Sequence, residues 1–144
     1  MIRRYHYMIH VTEGSNRMKI QESGENYLES ILMLSQEKGM VRSIDVVNAL
    51  NFSKPSVSVA MRKLRESGYV EVDDNGFILL TKTGRAIAEE MYERHRFLSD
   101  YLVKLGVSPE IALEDACRIE HVISQESFEC LKRHIRTEHT NGME

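Results

Sequence analysis

The middle of the chain constrains the fold most strongly. Residues 43–50 and 53–65 each carry an apolar stripe at helical spacing, and a tight turn separates them. Two β-prone runs follow at residues 69–72 and 77–80, and the Asn75-Gly76 pair between them is a strong hairpin signal. Helix, turn, helix and hairpin in this order predict a winged helix-turn-helix with a two-stranded β wing.

Further helices are predicted on both sides of this segment. Residues 25–36 form an apolar stripe that ends at Gly39, and a long helical pattern after residue 84 ends near Gly106. Ser108, followed by a proline and an acid, is typical of a helix start, and a last helix is predicted to end near His134. We therefore predict a mostly α fold.

The chain is divided here into three predicted parts. Residues 15–24 are polar and show no clear periodicity, so residues 1–20 are interpreted as a flexible extension. Residues 21–88 are predicted to form the winged-helix domain and residues 89–144 a helical domain, with a frayed tail from residue 137. Ser43 and Ser53 are the predicted caps of the two central helices.

Composition limits the cellular context but leaves DNA binding open. The formal net charge is −3, yet basic side chains cluster in the middle of the chain and acidic ones later, and local patches decide whether phosphate is attracted. No apolar run is long enough to span a bilayer, and the first 17 residues lack a signal-peptide pattern. We expect a cytoplasmic protein whose two cysteines lie in helices and form no disulfide framework.

The second central helix has the context of a recognition helix, because it follows a short helix and a tight turn and precedes a hairpin. Its small polar side chains near the start could approach bases or phosphates, and its later basic side chains could neutralise phosphates. An ordinary amphipathic helix with a solvated basic face is the alternative. The candidate DNA-binding residues are Arg42, Ser53, Lys54, Ser56, Ser58, Arg62 and Lys63.

Cys117, Glu120 and His121 are spaced i, i+3 and i+4, so they share one face of a helix. A thiolate, a carboxylate and an imidazole suit a divalent transition metal better than Ca²⁺ or Mg²⁺. A second helix could add His95, and the first helix could add oxygens from Asn26 and Glu29. Four to six such donors would suit Mn²⁺ or Fe²⁺. The alternative is a buried cysteine beside an ordinary Glu–His pair.

Four other histidines, at positions 6, 10, 134 and 139, are interpreted as solvated surface residues and receive no role.

Three sequence blocks, at residues 25–29, 94–96 and 117–124, carry a family resemblance. Through them the chain resembles the metal-dependent repressors related to the diphtheria toxin repressor and the manganese transport regulator. The resemblance implies a winged-helix domain, a helical dimerisation domain and a divalent metal that acts as corepressor. It also implies a homodimer that binds double-stranded operator DNA.

The resemblance extends to individual metal-ligand positions. His95, Glu120 and His121 occupy ligand positions of the family, and Glu29 matches the first-helix Glu of the manganese type. Cys117 stands where iron-type members have Cys and manganese-type members have Glu, whereas Asn26 stands where the two types have Met or Asp. The implied ligand set is a hybrid of the two types.

The sequence therefore predicts a metal-responsive repressor that controls metal homeostasis genes. It is expected not to be an enzyme, and to have neither a membrane partner nor a small organic substrate. Two alternatives stay open. One is a winged-helix repressor that senses thiol oxidation through Cys117. The other is a small metal-dependent hydrolase that uses the Cys, Glu and His side chains.

Overall fold

The structure is a computed structural model that describes the backbone of residues 16–141 and the side chains of residues 22–138. Its first helix, α1, spans Asn16–Lys38 and ends where Gly39 takes a left-handed conformation at φ 82°. The predicted start of this helix at residue 25 is wrong, because residues 16–24 are also helical although they carry no apolar stripe. The rest of the predicted extension, residues 1–15 with His6 and His10, lies outside the described residues.

The next two helices form the predicted helix-turn-helix. α2 spans Ser43–Leu50 and α3 spans Lys54–Glu66, and Asn51 joins them in a left-handed conformation at φ 55°. The predicted cap of α3 is confirmed, because Ser56 N–H donates to Ser53 Oγ over 3.3 Å. The predicted cap of α2 is wrong, because Ser43 is already helical and Arg42 precedes it as the cap residue.

The hairpin after α3 confirms the predicted wing. Strand β1, Val70–Val72, pairs antiparallel with strand β2, Ile78–Leu80. Ile78 N–H also donates to the Val41 carbonyl over 2.7 Å, which ties the wing to the segment before α2. Buried side chains from α1, α2, α3 and the wing form one core; those of α3 are Val57, Met61 and Leu64, as the sequence predicted.

Three helices complete the fold: α4 at Lys82–Lys104, α5 at Pro109–Ile119 and α6 at Gln125–Asn141. The start of α5 at Pro109 is confirmed. The predicted end of α6 near His134 is wrong, because the helix continues to Asn141. For the same reason the predicted frayed tail from residue 137 is wrong for residues 137–141. Residues 142–144 and the side chain of His139 lie outside the described residues.

The two halves of the fold meet along α1. We call α1–α3 with the wing the winged-helix half, and α4–α6 the helical half. Ala88 of α4 and Cys117 of α5 pack in the same core as α1, while Leu98, Ala116 and Phe128 form a smaller cluster within the helical half. Within the described residues, no helix combines the length and apolar character that a membrane crossing requires.

Polar side chains that line the contact between the halves are candidates for a functional site.

Candidate metal centre

Glu29 is the most unusual buried side chain of the contact between the halves. It projects from α1, its relative exposure is 0%, and neither carboxylate oxygen has a hydrogen-bond partner among the described residues. Burial raises the pKa of Glu29 well above its usual range, and the neighbouring Glu120 carboxylate raises it further. A buried carboxylate is costly unless a hydrogen-bond donor or a cation satisfies it, so this position fits a bound cation.

Glu29 faces two residues of the helical half. Ligand atoms of Glu29, His95 on α4 and Glu120 at the end of α5 all lie within 4.8 Å of one another. His95 Nδ1 lies 2.9 Å from Glu120 Oε2. Burial also raises the pKa of Glu120, whereas its hydrogen bond with His121 lowers it. Three elements thus bring two carboxylates and one imidazole to one point.

Glu120 belongs to a second group as well. Ligand atoms of Cys117, Glu120 and His121 also lie within 4.8 Å of one another, so the predicted clustering of these three residues is confirmed. The helix α5 itself ends at Ile119, which the sequence did not predict. The clustering survives because Glu120 keeps helical dihedral angles and its N–H donates to the Ala116 carbonyl over 3.0 Å.

His121 connects this second group to α1. Its Nε2 lies 2.8 Å from Asn26 Oδ1, and its Nδ1 lies 2.7 Å from Glu25 Oε2. Burial by itself lowers the pKa of His121, but hydrogen bonds with Cys117, Glu120 and Glu25 outweigh it and raise the pKa to about 12. The structure therefore brings together all six candidate ligands predicted from the sequence.

Cys117 is buried in the shared core, at 4% relative exposure. Burial raises the pKa of its thiol, the hydrogen bond with His121 lowers it, and the carboxylates of Glu120 and Glu29 raise it. A thiol in these surroundings is protonated at neutral pH unless a cation displaces the proton.

The donors fit a divalent transition metal. One neutral amide oxygen, two carboxylates, two imidazoles and one sulfur are available within a buried region, and a 2+ charge would offset both carboxylates. Ca²⁺ and Mg²⁺ take oxygen ligands almost exclusively, so the imidazoles and the sulfur disfavour them.

Sequence reasoning missed two residues beside this centre, and Glu25 is the first. Its carboxylate contacts His121 from the same helix that carries Asn26 and Glu29. The available signal was spacing, because Glu25 precedes Glu29 by four residues and so shares its helix face.

Arg94 is the second missed residue, and it holds the turn that carries the ligands of α5. Its Nη1 donates to the backbone carbonyls of Glu120 and Ile123, over 3.0 and 2.8 Å. Its Nη2 donates to Glu90 Oε1 and Gln125 Oε1, over 2.9 and 2.8 Å. The side chain is 7% exposed, so these bonds are shielded from water.

Replacing Arg94 with methionine is expected to lower the free energy of unfolding by about 2 kcal/mol, because two turn carbonyls lose a charged donor. Arg118→Met is the matched control, since Arg118 is exposed and pairs only with Glu114 one helical turn away among the described contacts. Its loss should cost less than about 0.5 kcal/mol. Urea unfolding of both variants at one protein concentration measures the difference, and equal losses would contradict this role of Arg94.

The candidate DNA-binding residues belong to the winged-helix half and lie outside the buried donor set. Six belong to α3 or its cap, and all seven are exposed: Arg42, Ser53, Lys54, Ser56, Ser58, Arg62 and Lys63. Arg42 lies apart from the others, with its guanidinium carbon 4.5 Å from the centre of the Phe77 ring. The hydroxyls of Ser53 and Ser56 lie 2.8 Å apart, so both take part in capping α3.

Two family models match the chain, and together they cover most of it. Residues 19–76 match the model described as "Iron dependent repressor, N-terminal DNA binding domain". Residues 81–141 match the model described as "Iron dependent repressor, metal binding and dimerisation domain". The first match ends at Gly76 in the turn of the wing, and the second begins at Thr81, the residue that caps α4.

Similar proteins carry consistent names. The transcriptional regulator MntR of Escherichia coli O6:H1 is 35% identical over 108 residues, which are 75% of this chain and 70% of that protein. MntR of Shouchella clausii is 35% identical over 107 residues, which are 74% of this chain and 75% of the relative.

Solved structures show the same fold. The manganese regulator SloR has a TM-score of 0.71 at 28% identity, over 78% of this chain and 53% of its own. A manganese-dependent transcriptional repressor in complex with manganese has a TM-score of 0.67 at 30% identity, over 80% of this chain and 51% of its own. The chain thus spans about half the length of these two solved structures.

Proposed function

The chain belongs to the iron-dependent repressor family of metal-dependent transcriptional regulators, and from this premise we propose that it is a cytoplasmic, metal-responsive repressor. It binds operator DNA as a homodimer, with Mn²⁺ or Fe²⁺ as corepressor, and controls genes of metal homeostasis. One observation carries the proposal: the buried Glu29 carboxylate of the winged-helix half, which has no hydrogen-bond partner in the described part of the chain, faces His95 and Glu120 of the helical half.

The proposed ligands come from both halves: Asn26 and Glu29 from α1, His95 from α4, and Cys117, Glu120 and His121 from the end of α5. A bound divalent ion would offset the negative charge of these buried carboxylates and would take the place of a proton on His121, whose pKa is raised to about 12. Burial and the nearby Glu120 carboxylate favour the protonated form of Glu29 in the metal-free protein, and an ion held by Glu29 together with Glu120 would replace that proton and tie α1 to the end of α5. The orientation of the winged-helix half on the helical half thereby depends on these side chains.

DNA recognition follows from the position of α3. Its polar start can reach base edges in the major groove, and Arg62 and Lys63 can neutralise phosphates. In a homodimer the two copies of α3 would need to lie about 34 Å apart, one helical turn of DNA, to read a palindromic operator. Exposed apolar side chains of the helical half offer a dimer surface: Val103, Leu105, Ile111 and Val122.

Neither alternative function is favoured. A thiol sensor needs an accessible cysteine with a lowered pKa, whereas Cys117 is buried and its pKa is raised. Two points disfavour a hydrolase. The named relatives are transcriptional regulators. A hydrolase would also leave the exposed basic surface of α3 without a role.

Lys63→Ala is expected to weaken binding to all DNA sequences to a similar extent and to lower the slope of log affinity against log salt by about 1, since one phosphate contact is lost. Lys104→Ala, at the exposed end of α4, is the control with the same change of charge. Fluorescence anisotropy with a labelled duplex at several salt concentrations measures both slopes. An unchanged slope for Lys63→Ala would exclude this contact.

Selection from a random pool of DNA duplexes tests the proposed function and the choice of ion. The wild-type protein is incubated anaerobically with Mn²⁺, Fe²⁺, Co²⁺ or Zn²⁺, and bound DNA is sequenced. We expect an inverted repeat to be enriched with Mn²⁺ or Fe²⁺, with half-sites about 10 base pairs apart. Enrichment that is equal in the presence of a chelator, or absent with every ion, would refute the proposal.

A further inference from the structure

We propose that Glu25 is a positioning residue that fixes the orientation and the tautomer of His121. This inference rests on the proposed function, in which His121 is a metal ligand. Glu25 Oε2 lies 2.7 Å from His121 Nδ1, and this contact joins α1 to the turn after α5. The proposed function assigns no role to this carboxylate.

The two ring nitrogens of His121 have different surroundings. Nε2 points into the donor set, 2.8 Å from Asn26 Oδ1 and 3.2 Å from Glu120 Oε1. Nδ1 points away from that set, toward Glu25. An imidazole nitrogen binds a metal through its lone pair, so when Nε2 is the ligand the proton must sit on Nδ1. A carboxylate beside Nδ1 accepts that proton in a hydrogen bond and stabilises this tautomer.

Burial makes this partner necessary. The His121 side chain is 2% exposed, so water cannot readily serve as the acceptor for Nδ1–H. The Glu25 side chain is 18% exposed, so it reaches His121 from the edge of the buried region and not from within the donor set. Glu25 thus accepts a hydrogen bond, whereas Glu29 and Glu120 remain for the cation.

The helical spacing of α1 places the two roles on one face. Glu25 and Glu29 are separated by four residues, about one helical turn, and Asn26 lies between them in sequence. Glu25 can therefore hold His121 while Asn26 and Glu29 face the donor set. A shift of α1 against α5 would break the Glu25–His121 bond. The same shift would move Asn26 and Glu29 away from the donors of the helical half, so ligand orientation is coupled to the contact between the halves.

Glu25→Gln tests the inference. The glutamine amide has nearly the same shape, but it can donate to Nδ1 as well as accept from it, so both tautomers of His121 become accessible. We expect the Mn²⁺ affinity to fall about 10- to 100-fold, the range typical for loss of a partner that orients a ligand. Glu22→Gln is the matched control, because Glu22 lies on the same helix and contacts none of the six ligands in the described part of the chain.

Free Mn²⁺, measured by electron paramagnetic resonance during titration, gives the affinity of each variant. The absorption spectrum of bound Co²⁺ gives a second readout: Glu25→Gln should change its d–d bands, whereas a change in fold stability alone should leave them unaltered. Glu25→Asp, which keeps the charge but shortens the reach, should fall between wild type and Glu25→Gln.

The outcomes separate the two proposals. If wild type binds none of Mn²⁺, Fe²⁺ and Co²⁺, the proposed function fails. If wild type binds them and Glu25→Gln keeps the affinity within about twofold with the same Co²⁺ spectrum, only the role of Glu25 fails. An equal loss of affinity in Glu22→Gln would also overturn it, because the effect would then be one of net charge.

Discussion

Replacing Glu29 with glutamine is expected to lower the Mn²⁺ affinity by more than about 100-fold while leaving the metal-free protein at least as stable as wild type. Loss of a partner that only orients a ligand already costs about 10- to 100-fold, and loss of a ligand should cost more. Stability is retained because the wild-type carboxylate is buried without a hydrogen-bond partner among the described residues. A glutamine amide can instead donate to the Glu120 carboxylate, one oxygen of which lies within 4.8 Å of a Glu29 carboxylate oxygen.

Thermal unfolding with and without Mn²⁺ tests both the loss of Mn²⁺ binding and the stability of the metal-free variant. At a free Mn²⁺ concentration of about 100 times Kd, wild type should gain about 2.7 kcal/mol, and Glu29→Gln should gain almost nothing. Glu37→Gln, an exposed substitution on the same helix, should behave like wild type. If the metal-free Glu29→Gln protein were strongly destabilised, Glu29 would have a structural role that its surroundings do not show.

Gly84→Ala is expected to destabilise the fold by about 3 kcal/mol or more. Gly84 is buried in the first turn of α4, against the backbone of Tyr69. An added Cβ would lie 2.0 Å from the Tyr69 carbonyl oxygen and 2.9 Å from its carbonyl carbon. Because these atoms belong to the backbone at the base of the wing, a rotamer change cannot relieve the overlap. The close approach joins the wing to the start of α4.

Gly24→Ala supplies a control of opposite sign. At Gly24, within α1, an added Cβ would meet Leu64 Cδ2 at 3.9 Å, which is ordinary van der Waals contact. Alanine at this helical position should raise the free energy of unfolding by about 0.5–1 kcal/mol, because it reduces the conformational entropy of the unfolded chain. Urea unfolding of both variants decides the matter; a Gly84→Ala protein as stable as Gly24→Ala would show that the wing and α4 do not approach so closely.

Local patterns account for what the sequence could predict. The apolar stripe of α3, the cap at Ser53 and the Asn75-Gly76 turn act over a few residues, so their signals survive without tertiary information. The grouping of Cys117, Glu120 and His121 likewise depends on helical spacing that persists one residue past the end of α5.

Tertiary contacts account for what the sequence could not predict. Arg94 was part of a recognised block, yet nothing in that block shows that its guanidinium reaches carbonyls at positions 120 and 123. The partner of Glu25 is separated from it by 96 positions along the chain. The helical stretch at residues 16–24 lacks an apolar stripe, so periodicity gave it no signal.

The donor set combines ligand types that suit different divalent ions. As a ligand, Cys117 would contribute a soft sulfur, whereas Glu29 and Glu120 would contribute hard oxygens, and the neutral amide of Asn26 would add no charge. Sulfur favours Fe²⁺ over Mn²⁺, and the carboxylates favour Mn²⁺. Geometry and the availability of each ion in the cell therefore decide between them.

A metal bound between the halves is expected to promote the arrangement of the protein that binds DNA. The affinity of wild-type protein for its selected duplex, measured by anisotropy at about 0.15 M salt with excess Mn²⁺ or Fe²⁺ and again with a chelator, tests it most directly. We predict at least about 100-fold tighter binding with metal, since a shift from a minor to a dominant population requires a differential of this order or larger. Equal affinities in the two conditions would contradict the claim.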